Sequence, residues 1–336
     1  MTKKAPDKSD DSSPSFEGFV IPSLLLMLLL IVIYGNSFHG PFLFDDLFNI
    51  VENPNIHSRN FSWEEITPAV HGADPRKAAV HRRPVSYLTF AANHSLGGLD
   101  PFGYHLVNFA IHALSSLLLF FFTYRVLCLS AFGKTRSKKH LLSIALLSSA
   151  LWASHPIQVT AVTYIVQRMA ALAGLFTLLS MYSYVEARTA ESRLSKGVYI
   201  AVCVISGALA VGSKENAAML PVNLVLLEIV VIGGSNGQHR RFKAYLLGFA
   251  VFLVVLVGLW FTDIDRILAG YENRPFTLAQ RLLTEPRVLL FYISQLLYPT
   301  SQRFTMLHDV VMSTGFLDPW TTLPAMLLAA ALPAGA

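Results

Sequence analysis

Two adjacent carboxylates, Asp45 and Asp46, are the first residues of this sequence whose type and spacing suit chemistry. They follow two aromatic residues, Phe42 and Phe44, and lie about ten residues beyond the first apolar run. Carboxylates held near a low-dielectric boundary can serve as general bases or as cation ligands. A solvated turn is the alternative interpretation, since Asp-Asp pairs also arise by chance. We take both residues as catalytic candidates.

Three basic residues, Arg83, Arg168 and Lys214, are candidates for binding a phosphate. Arg168 ends a largely apolar stretch that predicts a short interfacial helix over residues 157–167, followed by a span. A guanidinium at that depth must be paired or must reach the interface, and its planar fork suits phosphate. Snorkelling of Arg168, solvation of Arg83 and an ordinary ion pair of Lys214 with Glu215 are the alternatives.

A polar face is predicted on the second span, where His105, Asn108 and His112 are separated by three and four residues. Polar side chains within a span face the interior of the bundle. The two histidines are about 10 Å apart along a helix, too far to share one metal ion. Hydrogen bonding between helices is therefore the better interpretation, and we predict no metal site.

The elements that must position these residues are membrane-spanning helices. Hydrophobic residues make up 53% of the chain and charged residues 14%, where a soluble domain carries about 25% charged residues. The apolar residues cluster in runs close to the ~20 residues that cross a bilayer as a helix. We predict an all-α polytopic membrane protein of about eight or nine transmembrane helices, which excludes a soluble globule. The basic residues lie in short loops between runs, so nucleic acid is not an expected partner.

The predicted spans are Phe19–Tyr34, 103–129, 141–154, 169–187, 197–213, 217–233, 244–262 and 287–299, with a last one beginning near Trp320. Residues 1–17 are expected to be a disordered cytoplasmic N-terminus, and residues 18–336 the transmembrane domain, with 36–101 as a long first extracytoplasmic loop. The apolar run from Leu323 to Leu332 has no polar tail, so we expect a fragment or a natural truncation.

The basic loops set the orientation. Residues 134–139, 188–196 and 240–243 are rich in Lys and Arg, which places them and the N-terminus in the cytoplasm. The carboxylate pair, Lys214 and His155 then share the extracytoplasmic side. Carboxylates and cations at one membrane boundary suit a phosphate-bearing lipid head group, but they suit a transporter or an ion-coupled machine as well.

Several segments, in order, resemble one family. Phe44-Asp45-Asp46 with Asn49, Ile50 and Asn53 is similar to the first outer loop of GT-C membrane glycosyltransferases, and more narrowly of the transmembrane and tetratricopeptide-repeat protein O-mannosyltransferases and their bacterial relatives. The further segments are Arg83-Pro84-Val85-Ser86-Tyr87, Pro101-Phe102-Gly103-Tyr104-His105 with Asn108 and His112, His155-Pro156-Ile157-Gln158 with Val166-Gln167-Arg168, Ser213-Lys214-Glu215-Asn216 with Leu220-Pro221, and Arg287 with Tyr298-Pro299. The tetratricopeptide repeats of that family do not follow in this sequence.

The resemblance implies a GT-C-like bundle and an inverting transfer of a sugar, with mannose as the candidate, from a polyprenyl-phosphate donor to a hydroxyl of protein Ser or Thr on the extracytoplasmic side. Asp45 or Asp46 would be the base, and Arg168 and Lys214, with Arg83 behind them, would hold the phosphate. The supporting residues would be Glu215, which would orient Lys214, together with His105, Asn108 and His155.

The implied partners are the polyprenyl-phosphate sugar lipid, an acceptor protein or peptide and the lipid bilayer. No cofactor is assigned, and whether a divalent cation assists the transfer is left open. The sequence of residues 158–168 resembles the bacterial members of the family most, which implies a bacterial inner membrane rather than the endoplasmic reticulum. The competing class is a non-enzymatic transporter or scaffold that handles lipid-linked sugars.

Overall fold

The computed structural model describes residues 16–58, 60, 62–70, 83–130, 132–232, 248, 270–272, 274–305 and 308–331. These residues form helices and turns, and none of them lies in a strand. The all-α fold class predicted from the sequence is confirmed. The predicted span at 244–262 and most of the predicted disordered N-terminus lie outside the described residues.

The α-helices, in chain order, are α1 (Phe16–Tyr34), α2 (Trp63–Val70), α3 (Pro84–Gly97), α4 (Pro101–Leu129), α5 (Lys138–Ser154), α6 (Val159–Thr163), α7 (Arg168–Thr189), α8 (Arg193–Ser213), α9 (Leu220–Leu227), α10 (Leu278–Leu297) and α11 (Thr322–Ala331). Short 3-10 turns include Pro54–Ile56, Ile165–Gln167 and Glu215–Met219, and π-helical turns cover Leu47–Val51 and Glu228–Ile232.

Four helical segments of the described chain are long and apolar enough to cross a membrane: Pro101–Leu129, Ile165–Thr189, Arg193–Ser213 and Glu215–Ile232. Each coincides with a span predicted from the sequence. The apolar helices Gly18–Tyr34 and Thr322–Ala331 are shorter. Apolar residues around the whole circumference, rather than on one stripe, are what a lipid-facing helix requires.

The chain divides into two compact units, and the first comprises residues 1–154 and 158–254. In this unit some polar groups inside the spans bond neighbouring helices, which a bilayer favours. Ser180 on α7 donates to the Cys203 carbonyl on α8 at 2.9 Å. The fully buried Glu228 pairs with Arg188 at 3.0 Å, so this carboxylate ties the end of α7 to the turn that follows α9.

The described part of the segment predicted as a long loop, 36–101, is folded. It contains α2, α3 and short turns, and its apolar side chains form a core with α4 and the chain before α7. That core contains the buried residues Ile50, Ile56, Tyr87, Phe90, Tyr104, Ile165 and Met169. A loop with its own hydrophobic core can hold a side chain in a fixed place at the end of a helix bundle.

The second unit comprises residues 155–157 and 255–336. In its described part α10 packs against α11. The buried Ser313 joins them, since its N–H donates to the Thr284 hydroxyl at 2.9 Å and its hydroxyl bonds that of Thr322 at 2.8 Å. The predicted span 287–299 is the second half of α10, which begins earlier with a Thr277–Gln280 capping box.

Candidate active site

The Asp46 carboxylate is almost completely enclosed, with 1% of the residue exposed. Its Oδ2 accepts the Leu43 N–H at 3.0 Å and its Oδ1 accepts the Val166 N–H at 2.7 Å. Burial raises the pKa of this carboxyl above its ordinary range, and the backbone donors and the charge of His105 oppose that rise. Asp46 therefore closes its own turn and ties that turn to the chain before α7.

Asp45, by contrast, is exposed. Its backbone is fixed on both sides, because its N–H donates to the Tyr164 phenol oxygen at 3.0 Å and its carbonyl accepts the Asn49 side-chain amide at 2.8 Å. Phe44, directly before it, has a φ of 44°, a conformation that costs a residue with a Cβ about 1–2 kcal/mol. Such strain persists where the surroundings impose it and is frequent at functional sites. The turn thus presents one exposed carboxylate on a fixed backbone, with the Tyr164 hydroxyl beside it.

Two hydrogen bonds link this turn to α3, near a group of charged residues. The Asn49 side-chain oxygen accepts the hydroxyl of Tyr87 on α3 at 2.8 Å. Burial raises the pKa of Tyr87, the charge of Arg83 lowers it and the charge of Glu215 raises it. Tyr87 therefore stays protonated and lies within electrostatic range of both charged residues.

Arg83 and Glu215 form a bidentate ion pair. The Arg83 Nε and one terminal nitrogen each reach a different Glu215 carboxylate oxygen at 2.9 Å, and the other terminal nitrogen donates to the Met169 sulfur at 3.1 Å. The two side chains are 21% and 27% exposed, so the pair is partly shielded from solvent. Glu215, which we expected to orient Lys214, is thus engaged with Arg83, and it fixes the start of α3 to the end of α8.

Lys214 lies between these charges, in extended backbone after α8. Burial and the charge of Arg83 lower the pKa of its ammonium from 10.5, and Glu215 opposes the shift. Within the described chain, no hydrogen bond or ion pair of the Lys214 ammonium is formed. Lys214 is therefore a half-buried cation with donors to spare, as predicted for a phosphate ligand.

Arg168 has a different environment from the one that its predicted role requires. It is fully buried, and its guanidinium lies over the Phe90 ring, 4.7 Å from the centroid. Four hydrogen bonds go to the Asn108 side chain (2.7 Å), the Asn93 side chain (2.6 Å), the Tyr104 carbonyl (2.8 Å) and the Thr89 carbonyl (3.2 Å). The geometry argues against Arg168 as a phosphate ligand, because the charge is enclosed where α3, α4 and α7 meet. The short helical segment predicted before it is confirmed as α6 and the turn Ile165–Gln167.

The polar face predicted on α4 bonds neighbouring segments, as expected. The side chains of His105, Asn108 and His112 are buried and contact the backbone carbonyls of Gly40 (3.0 Å), Ile165 (3.2 Å) and Ala153 (3.0 Å), respectively. His105 anchors the start of the Asp45 turn, and Asn108 links α4 to the chain before Arg168. The predicted residue His155 belongs to the second unit, where its Nε2 lies 3.2 Å from the Leu296 carbonyl.

Three residues of the site were not predicted: Asn49, Tyr87 and Tyr164. Asn49 is four residues after Asp45, the spacing at which a side chain in a helical turn reaches back to a carbonyl, so this signal was present in the sequence. Tyr87 was noted only as part of a resembling segment. Tyr164 contacts Asp45 although the two residues are 119 positions apart. No local sequence pattern predicts such a contact.

Taken together, the first unit places an exposed carboxylate, a half-buried lysine and a shielded Arg–Glu pair at one end of α4, α7 and α8. The carboxylate can accept a proton. The cations can hold an anion that forms as a bond breaks. The backbone of Asp45 and the Arg83–Glu215 pair are held by hydrogen bonds to other segments.

Curated relatives of this chain are protein O-mannosyl-transferases. Protein O-mannosyl-transferase TMTC4 of Homo sapiens is 30% identical over 221 residues, which cover 63% of this chain and 30% of the relative. TMTC1 of Homo sapiens is 34% identical over 154 residues, 45% of this chain and 16% of the relative. TMTC3 of Homo sapiens is 27% identical over 251 residues, 71% of this chain and 26% of the relative.

The chain thus resembles these O-mannosyl-transferases over a part of their length, and it spans about a third or less of each. No family model matches the sequence, and no solved structure matches it.

Proposed function

We propose that this chain is the membrane part of a glycosyltransferase that moves a sugar, with mannose as the candidate, from a polyprenyl-phosphate donor to a hydroxyl of a protein. The observation that carries the proposal is the exposed Asp45 carboxylate on a strained, fixed turn. The backbone of that turn is linked through Asn49 to Tyr87, which lies within electrostatic range of Arg83 and Glu215, the ion pair beside Lys214. The names of the similar proteins support the same reaction class.

In the proposed reaction Asp45 takes the proton of the acceptor hydroxyl as its oxygen attacks the anomeric carbon. One carbon–oxygen bond forms, and the bond from the same carbon to the donor phosphate breaks with inversion. The phosphate leaves with the bonding electron pair, and the ammonium of Lys214 stabilises its charge, with Arg83 behind it. No covalent intermediate between sugar and protein is needed.

Asp46 and Arg168 take positioning roles in this proposal. The Asp46 carboxylate accepts the Val166 N–H at 2.7 Å and so fixes the turn that carries Asp45. Arg168, two residues after Val166, binds α3 and α4 together through its hydrogen bonds. The exposure of Asp45 and the enclosure of Asp46 support Asp45 rather than Asp46 as the base.

The setting that we propose is the extracytoplasmic side of the bilayer, with the basic loops and the N-terminus in the cytoplasm, and a bacterial inner membrane rather than the endoplasmic reticulum. The polyprenyl chain of the donor would lie in lipid, beside spans whose outward faces are apolar. The acceptor protein would approach from the aqueous side, where Asp45 is exposed.

The donor class is tested with the purified full chain, reconstituted in liposomes with Ser- and Thr-containing peptides. Polyprenyl-phosphate mannose, polyprenyl-phosphate glucose and GDP-mannose are offered separately, and glycopeptides are counted by mass spectrometry. We expect transfer from a polyprenyl-phosphate sugar and none from the nucleotide sugar. Parallel reactions with EDTA and with added Mg²⁺ or Mn²⁺ decide whether a divalent cation takes part.

The phosphate ligand is tested with Lys214→Gln. Its matched control is Lys196→Gln, which removes an exposed lysine near the opposite end of α8. We expect weaker polyprenyl-phosphate binding in the first variant alone. Transfer from the nucleotide sugar, or equal binding by both variants, would contradict the proposed donor site. Flip or transport of the lipid without any transfer would favour the transporter.

A further inference from the structure

The second unit contains a cavity of about 730 Å³ that the proposed reaction does not use. Its lining combines apolar side chains with Arg287, His308, Asp309, Phe291 and Trp320. Ligand sites in proteins are typically concave and mainly apolar, with a few polar groups that fix orientation. This cavity has that character and a volume within the usual range of such sites.

Arg287 is held so that only part of its guanidinium is used. One terminal nitrogen donates to the Val311 carbonyl at 2.7 Å and to the Ser313 hydroxyl at 3.2 Å. Ser313 is buried between α10 and α11, so the anchor is rigid. Among the described residues, the remaining nitrogens of Arg287 form no hydrogen bond. They are donors fixed in direction at the wall of the cavity.

Asp309 supplies acceptors on the same cavity. It is exposed, and within the described chain neither an ion pair nor a side-chain hydrogen bond engages its carboxylate. A guanidinium and a carboxylate that line one cavity without pairing offer donors and acceptors to a single ligand. A carboxylate is an unfavourable neighbour for a phosphate, so the pair favours a neutral polyhydroxylated ligand over an anion.

Two aromatic side chains complete the lining. Trp320 is 74% exposed, so its ring is accessible to a ligand. Phe291 is fixed from two sides, by His308 at 5.1 Å between ring centroids and by the Arg303 guanidinium 5.2 Å above its ring. Flat aromatic faces give contact area to the C–H face of a sugar ring, and a nearby carboxylate and guanidinium give partners to its hydroxyls.

We infer that this cavity binds a neutral glycoside. The cavity exceeds what one hexose ring needs, so a second ring or the group attached to the sugar would lie beside it. The inference goes beyond the proposed function and does not rest on it, because a glycoside can bind here whether or not the first unit transfers sugar.

The test uses the full chain in detergent micelles with methyl α-D-mannopyranoside, methyl α-D-glucopyranoside and an α-linked mannobioside as probes. Binding is followed by saturation-transfer difference NMR. Asp309→Asn and Trp320→Leu remove the carboxylate charge and the aromatic face. Asp318→Asn, in the same loop, and Trp63→Leu, an exposed tryptophan of the first unit, are the matched controls.

We expect saturable binding of at least one glycoside, weakened about tenfold or more by Asp309→Asn or Trp320→Leu, as lost hydrogen bonds to a charged group would give. Both controls should bind as the wild type does. Absence of saturable binding by the wild type would overturn the inference, as would equal binding by all four variants. Displacement of the glycoside by millimolar inorganic phosphate would also overturn it, because the cavity would then be an anion site.

Discussion

Adjacent carboxylates in one turn need not share a role, because their neighbours decide which of them can reach a substrate. Both carboxylate oxygens of Asp46 accept hydrogen bonds from backbone N–H groups, whereas the Asp45 residue is exposed at the surface. The sequence predicted the pair but could not separate its members, since the donor to Asp46 at Val166 is 120 residues away. Only the folded backbone distinguishes the enclosed carboxylate from the exposed one.

Replacing Asp46 by Asn should destabilise the protein. The Asn side chain retains one acceptor oxygen, but its amide group would face a backbone N–H at Leu43 or Val166 and leave it unsatisfied. The expected loss is about 1–3 kcal/mol of unfolding free energy, read as a lower melting temperature in detergent. Asp45→Asn is the matched control and should melt as the wild type does. Equal melting temperatures for the two variants would contradict the separate roles.

Arg168 shows the same limit of prediction from sequence. Its position at the start of a span was predicted correctly, and so was the free-energy cost of placing a charge there. The partners that stabilise the buried guanidinium lie on α3 and α4: Asn93, Tyr104 and Asn108. Because a local pattern does not reveal them, the guanidinium was interpreted as free to bind phosphate.

Replacing Arg168 by Lys should lower stability without a specific effect on donor binding. A lysine keeps the charge, but it has no planar fork with which to reach groups on both α3 and α4 at once. We expect a loss of about 2–5 kcal/mol, measured by thermal unfolding, with polyprenyl-phosphate affinity per folded molecule close to that of the wild type. A variant that melts normally yet no longer binds polyprenyl phosphate would restore Arg168 as a phosphate ligand.

At the scale of elements, the membrane helices were the most predictable part of the molecule. A bilayer leaves a backbone no partner outside its own helix, so length and apolarity alone predict the spans. All four spanning segments of the described chain were predicted to within a few residues. The interior of 36–101 was not predicted, since α2, α3 and the turns between them depend on a shared core with α4.

The end of α8 gives a prediction for pH dependence. Burial and the charge of Arg83 lower the pKa of Lys214 from 10.5, so its ammonium loses its proton at a lower pH than a solvated lysine would. Affinity for polyprenyl phosphate should therefore begin to fall at a lower alkaline pH than a solvated lysine would give.

The matched variant is Lys214→Arg, whose guanidinium stays charged at the pH at which the lysine loses its proton. Its affinity, measured by the same titration at each pH, should hold to a higher pH than that of the wild type. Superimposable pH profiles for the two proteins would show that Lys214 does not carry the phosphate interaction.

At the scale of the whole molecule, the sequence predicted the class of protein and most of the residues that meet at the site. It did not predict how they meet, because the bonds from Tyr87 to Asn49 and from Arg83 to Glu215 join segments that are far apart in the chain. Resemblance to the O-mannosyl-transferases covers only part of their length, so the reaction is tested best on the chain itself.

The most direct test is sugar transfer from polyprenyl-phosphate mannose to a Ser- and Thr-containing peptide by the wild type and by Asp45→Asn, with melting temperature measured for both. A general base contributes about 10²–10⁴-fold to a rate. We predict that Asp45→Asn folds normally, binds the donor and loses transfer by a factor in that range. A normally folded Asp45→Asn protein that transfers mannose at the wild-type rate would contradict the assignment of Asp45 as the base.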